Sequence, residues 1–290
     1  MQNPLTRRYA SLAAACALVL IANPAWSQPG PVQPDQIAAI IAAADRTPAD
    51  RTNDVRRKPA QMLAFFAVRP SITAVDLSAA GGYTTELVAR AVGPGGMVYG
   101  QSRPPNPNGP RPAQPEGNAN PSATPTVAAA PAPAPVFRPS PVALADRVAR
   151  MQAAGVATAP ITPVVRPFED PFPPELAAGK VDLVTLIFNY HDLGHMGVDR
   201  AAMNRAVFAA LKPGGVYIIA DHAGRPGTGI SEAGTLHRIE PAFLRQEVEA
   251  AGFRLLAETD FLSNPNDPRD KNTPDPPMPK DEFVVKFVRP

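Results

Sequence analysis

Two stretches of the chain combine residue types and spacings that could do chemistry. HDLGH, residues 191–195, matches part of the H-E-x-x-H pattern, in which two histidines one helical turn apart hold a zinc ion. That pattern needs a helix, and Gly194 in a segment that directly follows a strand makes a helix unfavourable here. We therefore expect no metal site, and a zinc hydrolase is only a minor alternative.

The second stretch is VDLSAAGGYTTEL, residues 75–87. It runs from a short apolar strand to an acidic residue, and then through small residues into a helix. A strand, a small-residue turn and a helix in this order are typical of a loop that cradles a nucleotide-like ligand. Because non-glycine residues resist positive φ angles, ligand binding by this turn depends on its backbone conformation.

The segments around these two stretches alternate between strand and helix patterns. Short apolar runs are separated by helical repeats such as TTELVARAV, ALADRVARMQAAG, RAAMNRAVFAAL and PAFLRQEVEAAG. This alternation predicts a mostly parallel sheet with helices on both faces. The last two strands, FRLLAETDFL and DEFVVKFV, are joined by a Pro-rich loop without a helix, so we expect them to pair antiparallel at one edge.

The residues that follow each predicted strand are the candidates for a ligand site. In sheets of this type, ligands bind outside the carboxyl ends of the strands. Polar and small residues converge there: Asp76, Ser78, Ala80, Gly81 and Gly82 after the first strand, Gln101 after the second, Arg166, Pro167 and Phe168 after the third, Asn189, Tyr190, His191 and Asp192 after the fourth, and Asp221 and His222 after the fifth.

The first 27 residues have the pattern of a secretory signal. Arg7 and Arg8 precede an apolar run that Pro24 ends, and small residues flank Trp26 at a cleavage-like site. The run is too short for a membrane span. We therefore predict an exported protein, periplasmic or secreted, that has no membrane association after the signal is removed.

The charge balance argues against a nucleic-acid partner. Removal of the signal would take away Arg7 and Arg8, two of the 28 basic residues, and none of the 26 acidic ones. The balanced remainder offers no basic surface for nucleic acid or an anionic membrane. Cys16, the only cysteine, lies within the signal, so the remainder forms neither an internal disulfide nor a cysteine metal site.

A Pro/Ala-rich segment, residues 103–141, divides the domain. It holds thirteen of the 38 prolines and almost no large apolar residue. Such a composition cannot bury enough surface to offset the entropy of ordering, so we predict a disordered insertion. A docking site for a partner protein is the alternative. The domain interrupted by this segment would then comprise residues 28–102 and 142–290.

Several motifs in order, VDLSAAGGYTTEL, NYHDL, LKPGGVYIIADH, TLHRIE and FVVKF, resemble the exported branch of predicted class I methyltransferases. The resemblance covers roughly residues 36–290, apart from the insertion. It implies an α/β Rossmann-like class I methyltransferase sandwich, with a mostly parallel seven-stranded sheet, a reversed last strand and helices on both faces. It also implies S-adenosylmethionine as cofactor and an unknown, small-molecule acceptor.

The glycine-rich turn of this family is only partly present. Asp76 matches the acid that leads into the turn, Ser78 and Ala80 stand at the first two glycine positions, and Gly82 matches the third. A positive φ at Ala80 would be costly, whereas a negative φ would be tolerated. Gly81 and Tyr83 complete the predicted turn, and the helix that starts near Thr84 would receive the methionine carboxylate at its free N–H groups.

The remaining cofactor contacts implied by the resemblance lie after the next strands. Gln101 stands where an acid would hold the ribose hydroxyls, and an amide makes a weaker bond there than a carboxylate. Pro167 or Phe168 would flank the adenine, although Phe168 is equally well explained as a core aromatic. Asn189 completes the predicted cofactor set.

Under the same resemblance, His191 or His222 would act as a general base. Asp192 or Asp221 would fix the tautomer of the histidine. A hydrogen-bonded structural role is the alternative for each histidine. The substrate-side residues would be Tyr190, His237 and Arg238, the last two at the end of a Gly-rich segment with the composition of a lid.

Two further alternatives concern the whole domain and its N-terminal charges. An exported, non-catalytic binding protein would keep the fold and lose the chemistry, and the altered turn favours it. Near the start, Arg51, Asp54, Arg57 and Lys58 form either a solvated charged face or a flap over the cofactor.

Overall fold

The computed structural model describes residues 30–105, 138–274 and 278–290. The predicted signal and most of the predicted insertion lie outside these ranges. The described residues form one seven-stranded sheet in the order β3-β2-β1-β4-β5-β7-β6. The strands are β1 Thr73–Leu77, β2 Met97–Ser102, β3 Ile161–Val165, β4 Val181–Ile187, β5 Leu211–His222, β6 Arg254–Thr259 and β7 Glu282–Val288.

The sheet confirms the predicted Rossmann-like architecture and its reversed last strand. Neighbouring strands from β1 to β5 pair in parallel, and β7 pairs antiparallel with both β5 and β6. The two final strands thus pair as expected. The edge position falls to β6, because β7 is inserted between β5 and β6.

Helices cover the sheet, and two of them differ from expectation. The prediction that HDLGH is not helical is wrong, because α6 spans it, and a helix that we did not predict, α2, follows the N-cap Thr47. Gly194 is tolerated in so short a helix because one glycine costs only about 1 kcal/mol. The helices are α1 Pro34–Ala42, α2 Pro48–Arg57, α3 Pro59–Phe66, α4 Tyr83–Val92, α5 Ser140–Ala153, α6 Tyr190–His195, α7 Arg200–Ala210 and α8 Pro241–Ala250.

Two apolar cores lie on the two faces of the sheet. One packs α7 and α8 against the sheet around Met203, Val207 and Leu244. The other packs α1, α3 and α4 around Leu63 and Val88. Burial on both faces explains why the central strands read as continuous apolar runs rather than alternating ones. None of the helices in the described ranges has the length and apolarity needed to cross a bilayer.

Candidate functional site

The turn between β1 and α4 has a left-handed backbone at all three glycine positions of the predicted motif. The φ angles are +56° at Ser78, +47° at Ala80 and +76° at Gly82. Only glycine adopts such angles without cost, and an L-residue loses roughly 1 kcal/mol or more. The turn therefore keeps the conformation of a glycine-rich loop, and Ser78 and Ala80 hold it under backbone strain.

Asp76 lies beneath this turn and is buried. Its Oδ2 accepts a hydrogen bond from Thr85 Oγ1 at 2.6 Å, and its Oδ1 accepts one from Thr185 Oγ1 at 2.8 Å. Burial raises the pKa of Asp76 to about 6, although the two hydroxyls partly oppose that shift. The carboxylate thus ties β1 to α4 and β4 beneath the turn.

Replacing Asp76 by asparagine is expected to make the free energy of unfolding less dependent on pH. The folded-state pKa lies above the ordinary value of 3.8, so the ionised form destabilises the fold, and this penalty disappears as the pH falls through 6 towards 4. The free energy of unfolding of the variant should therefore exceed that of the wild type by on the order of 2 kcal/mol at pH 8. This difference should disappear by pH 4. Urea titrations at several pH values measure the difference, and a difference independent of pH would contradict the assignment.

Gln101 is fully buried, and the structure uses both ends of its amide. The side-chain oxygen accepts a hydrogen bond from the Ser78 N–H at 3.0 Å, and Nε2 donates to the Arg166 carbonyl at 2.7 Å. The residue predicted to hold the ribose thus fixes the start of the strained turn. It also joins the ends of β2 and β3 on the same rim.

Residues 43–58, which we call the flap, pack against the turn through buried charges. Arg147 of α5 donates from Nε to the Gly81 carbonyl at 2.5 Å and from Nη2 to Asp50 of the flap at 2.7 Å. Its Nη1 donates to Glu86 of α4 at 2.5 Å. We call the whole set the flap cluster; it comprises Asp45, Asp50, Glu86, Arg90, Arg147 and Arg150.

A second contact of the flap covers the start of α4. Tyr83 donates its hydroxyl to Asp54 at 2.5 Å, and Arg57 lies over the rings of Tyr83 and Phe188, at 5.2 and 5.0 Å from their centroids. The cavity between Arg57, Tyr83 and Leu87 measures about 10 Å³. A nucleoside-sized ligand needs hundreds of Å³. Asp54 and Arg57 therefore pack against the start of α4, whereas Arg51 and Lys58 are exposed, so each alternative describes part of this segment. A ligand of that size does not fit this cavity while the flap is docked.

Beyond the turn, four predicted residues meet after β4 and β5. His191 is fully buried; its Nδ1 lies 2.6 Å from Asp221 Oδ1 and its Nε2 lies 3.1 Å from Asp192 Oδ1. Burial by itself would lower the pKa of His191, but the two carboxylates outweigh it and raise that pKa to about 10. Asp192 also lies 3.1 Å from Nδ1 of His237. Helix α6, the end of β5 and the loop that carries His237 thus bring their imidazoles and carboxylates together.

His222 stands beside this group. Its ring lies 5.4 Å from that of His191 and stacks at 5.4 Å on Phe188, while its Nδ1 is 3.1 Å from Glu282 of β7. Arg56 of the flap donates to the same carboxylate at 2.6 Å. The predicted base is therefore linked through Glu282 to the flap.

The other predicted residues lie in different surroundings. Phe168 belongs to the core and Pro167 is exposed. Tyr190 is buried, accepts from Asn204 and donates to Glu247, so its hydroxyl faces α7 and α8. Asn189 donates to Asp192 Oδ2 at 2.9 Å. Arg238 is fully buried and is bound to Asp267 and to two backbone carbonyls.

His195, the second histidine of HDLGH, lies apart from the first. His191 is buried, whereas His195 is exposed and its ring packs against Gly234. The structure thus forms the helix of an H-E-x-x-H motif but not a shared site for its two histidines. The zinc-hydrolase alternative loses its geometric basis.

Sequence reasoning missed three residues of the site: Phe188, Glu282 and Arg147. The run VDLVTLIFNY predicts a strand that includes Phe188, whereas β4 ends at Ile187 and the φ of +60° at Phe188 marks a strained exit from it. Glu282 and Arg147 lie far along the chain from their partners. The acidic start of DEFVVKFV is a usable signal, because a reversed strand begins at the rim where the parallel strands end.

The sequence matches no family model, and no curated protein is significantly similar to it. Similar solved structures include a SAM-dependent methyltransferase from Aquifex aeolicus, with 14% identity, a TM-score of 0.49 and coverage of 89% of this chain and 100% of that one. A second, from Mesorhizobium loti, has 16% identity, a TM-score of 0.46 and coverage of 82% and 100%. Aeropyrum pernix fibrillarin with bound S-adenosyl-L-methionine has 15% identity, a TM-score of 0.40 and coverage of 76% and 68%. Identities this low say nothing about the activity of this chain.

Proposed function

We propose that the chain is an S-adenosylmethionine-dependent methyltransferase that acts on a small-molecule acceptor. One observation carries the proposal: the two candidate regions stand on either side of the point where the strand order reverses. In the order β3-β2-β1-β4-β5, that point lies between β1 and β4, and ligands of such sheets bind there. The glycine-type turn follows β1, His191 and Asp192 follow β4, and Asp221 and His222 are the last two residues of β5.

The turn and α4 supply the cofactor side. The N–H groups in the first turn of α4, a ten-residue helix, favour a carboxylate such as that of the methionine moiety. The left-handed angles at Ser78 and Ala80 give the backbone the shape that glycine would give. S-adenosylmethionine has no pyrophosphate, so the extra methyl group of Ala80 is a smaller obstacle than it would be for a dinucleotide.

The residues after β4 and β5 supply the acceptor side. Methyl transfer from a sulfonium depends mainly on alignment, and a base is needed only when the acceptor loses a proton. With a pKa of about 10, His191 is already protonated near neutral pH and is not that base. His222 is the better candidate, because Glu282 next to its Nδ1 favours the tautomer with Nε2 as the basic nitrogen.

The flap closes the ligand site. It contacts the turn through Arg147 and the rim through Arg56 and Glu282, so it can respond to ligands on both sides. Closure of this kind excludes water and aligns reactants. We further propose that residues 1–27 direct export, which places the reaction outside the cytoplasm.

Replacing Ala80 by glycine is expected to stabilise the fold and to strengthen cofactor binding. Glycine removes the cost of the left-handed φ at position 80, but it also increases the conformational entropy of the unfolded chain. The first effect is larger, so the free energy of unfolding should rise by about 0.5 kcal/mol. Calorimetric titration of S-adenosylmethionine should show micromolar binding to the wild type and tighter binding to Ala80→Gly. Urea unfolding measures the stability change.

The matched control is the neighbouring Ala79→Gly. Ala79 is buried and is not among the residues with positive φ, so glycine should destabilise the protein there by roughly 0.5–1 kcal/mol. If folded wild type and Ala80→Gly both give no heat with S-adenosylmethionine, the methyltransferase proposal fails. The chain would then be a binding protein that retains the fold for another ligand.

A further inference from the structure

We propose that His191, Asp192 and His237 form a binding site for a divalent transition-metal ion, a function beyond methyl transfer. One ligand atom from each residue lies within 4.8 Å of the other two. Asp192 Oδ1 is central: it lies 3.1 Å from His191 Nε2 and 3.1 Å from His237 Nδ1. Ligand atoms that each lie about 2.1 Å from one ion are separated by such distances.

The surroundings of these three residues are those of supported metal ligands. A metal-binding histidine usually gives its other ring nitrogen to a carboxylate, which fixes the ring. Asp221 takes this position: it is fully buried and lies 2.6 Å from His191 Nδ1. It also accepts from the His191 N–H at 2.8 Å. Asn189 donates to the second oxygen of Asp192 at 2.9 Å, which leaves Oδ1 as the ligand atom.

The nitrogen that faces the site is unsatisfied without an ion. His191 is fully buried, and its Nε2 has no hydrogen-bond partner of good geometry among the described residues. A buried polar atom in this condition costs free energy, and a native protein rarely leaves one without a purpose. An ion on Nε2 would remove that cost.

The carboxylates around His191 favour a bound cation. Glu282 is paired with Arg56, whereas Asp192 and Asp221 contact imidazole rings, an amide and backbone N–H groups. Asp221 is buried and Asp192 is partly exposed, and in the absence of a metal the protonated His191 compensates one of their two charges. A dication that takes the place of the proton on His191 Nε2 would compensate both carboxylates at once.

The ligand set indicates the class of ion. Two imidazoles and one carboxylate suit zinc, iron, cobalt or nickel, whereas magnesium and calcium prefer oxygen ligands alone. Three protein ligands leave at least one coordination position for water or for an oxygen of a bound molecule. An ion there would lower the pKa of that water or hydroxyl.

The test uses the tag-free full chain, stripped of metal with a chelator and without S-adenosylmethionine. Zn²⁺ binding is measured by calorimetry, and Co²⁺ binding by the visible absorption that appears when the ion enters a nitrogen and oxygen site of low symmetry. We expect one equivalent of either ion to bind. His237→Ala should weaken binding at least about a hundredfold, since His237 is a direct ligand, and Asp221→Asn roughly 10–100-fold through His191.

His195→Ala is the matched control, because it removes the other histidine of HDLGH, which is exposed and outside the group. It should leave binding unchanged. His237 is partly exposed, so its variant should fold, and circular dichroism verifies this. If the folded wild type binds neither ion below about 100 µM, the proposal is overturned. Equal effects of His195→Ala and His237→Ala would also overturn it. Because no cofactor is present, failure here leaves the methyltransferase proposal intact.

Discussion

Replacing Glu86 by glutamine is expected to lower the free energy of unfolding by about 3 kcal/mol or more. Glu86 is almost completely buried and accepts hydrogen bonds from three arginines. Its Oε1 binds Arg90 at 2.8 and 3.0 Å. Its Oε2 binds Arg147 at 2.5 Å and also binds Arg150. In glutamine one of these oxygens becomes an NH₂ group that faces N–H donors.

The charge balance of the flap cluster explains the size of the effect. Three carboxylates, Asp45, Asp50 and Glu86, face three guanidinium groups. Loss of Glu86 leaves a net positive charge in a buried site, where removal of one partner costs far more than at the surface. At about 2–4 °C per kcal/mol for a domain of this size, the melting temperature should fall by roughly 10 °C.

The same substitution at Glu249 is the control. Glu249 of α8 pairs with Arg245 at 3.0 Å, and both side chains are substantially exposed. Glu249→Gln should change the free energy of unfolding by less than about 0.5 kcal/mol. Equal effects of the two substitutions, measured by urea and thermal unfolding, would show that the flap cluster is not a buried network.

Replacing Gly82 by alanine is expected to destabilise the protein by about 2–5 kcal/mol and to abolish cofactor binding. Two costs combine: the φ of +76° disfavours any side chain by roughly 1–2 kcal/mol, and the added methyl group overpacks the site by about 1–3 kcal/mol. A Cβ there would lie 2.6 Å from Leu144 Cδ2 and 2.9 Å from Arg147 Cδ. Neither neighbour moves freely, because Leu144 is buried and Arg147 is bound to Asp50 and Glu86.

The adjacent Gly81 is the matched control, because neither the positive φ nor the steric clash of Gly82 applies to it. A Cβ at Gly81 meets no atom within 4 Å, and Gly81 is not among the residues with positive φ. Gly81→Ala should therefore stay within about 0.5 kcal/mol of the wild type. Calorimetric titration and urea unfolding of both variants measure the difference. A Gly82→Ala protein as stable as Gly81→Ala would show that α5 does not press on the turn.

The sequence predicts the fold well because its signals are local. The alternation of strand-length apolar runs with helical repeats leads directly to the parallel sheet, and the missing helix before DEFVVKFV leads to the reversed strand. The error at HDLGH has a physical reason. A single glycine is a weak obstacle to a helix, and α6 is stabilised by Tyr190 and Leu193, which are buried in the core.

The site is less predictable because its contacts join distant parts of the chain. Position after a strand identifies His191, Asp192, Asp221 and His222, which the structure brings together. Position alone does not tell which way a side chain points. Tyr190, one residue before His191, faces α7 and α8 instead.

The flap cluster shows the same limit. Asp50 and Arg147 meet across 97 positions, and no local pattern reveals such a pair. The sequence left the flap's charges open between a solvated face and a cover. Only tertiary packing decides between them.

The order of the final strands constrains how the protein completes its folding. β6 precedes β7 in the chain, yet β7 lies between β5 and β6 and pairs with both. Until residues 282–288 are available, β6 has no strand of the described sheet to pair with and β5 keeps an open edge, which is a hazard for aggregation. Glu282, at the first position of β7, contacts both His222 and Arg56. The docking of β7 therefore completes the sheet and the rim in the same folding step.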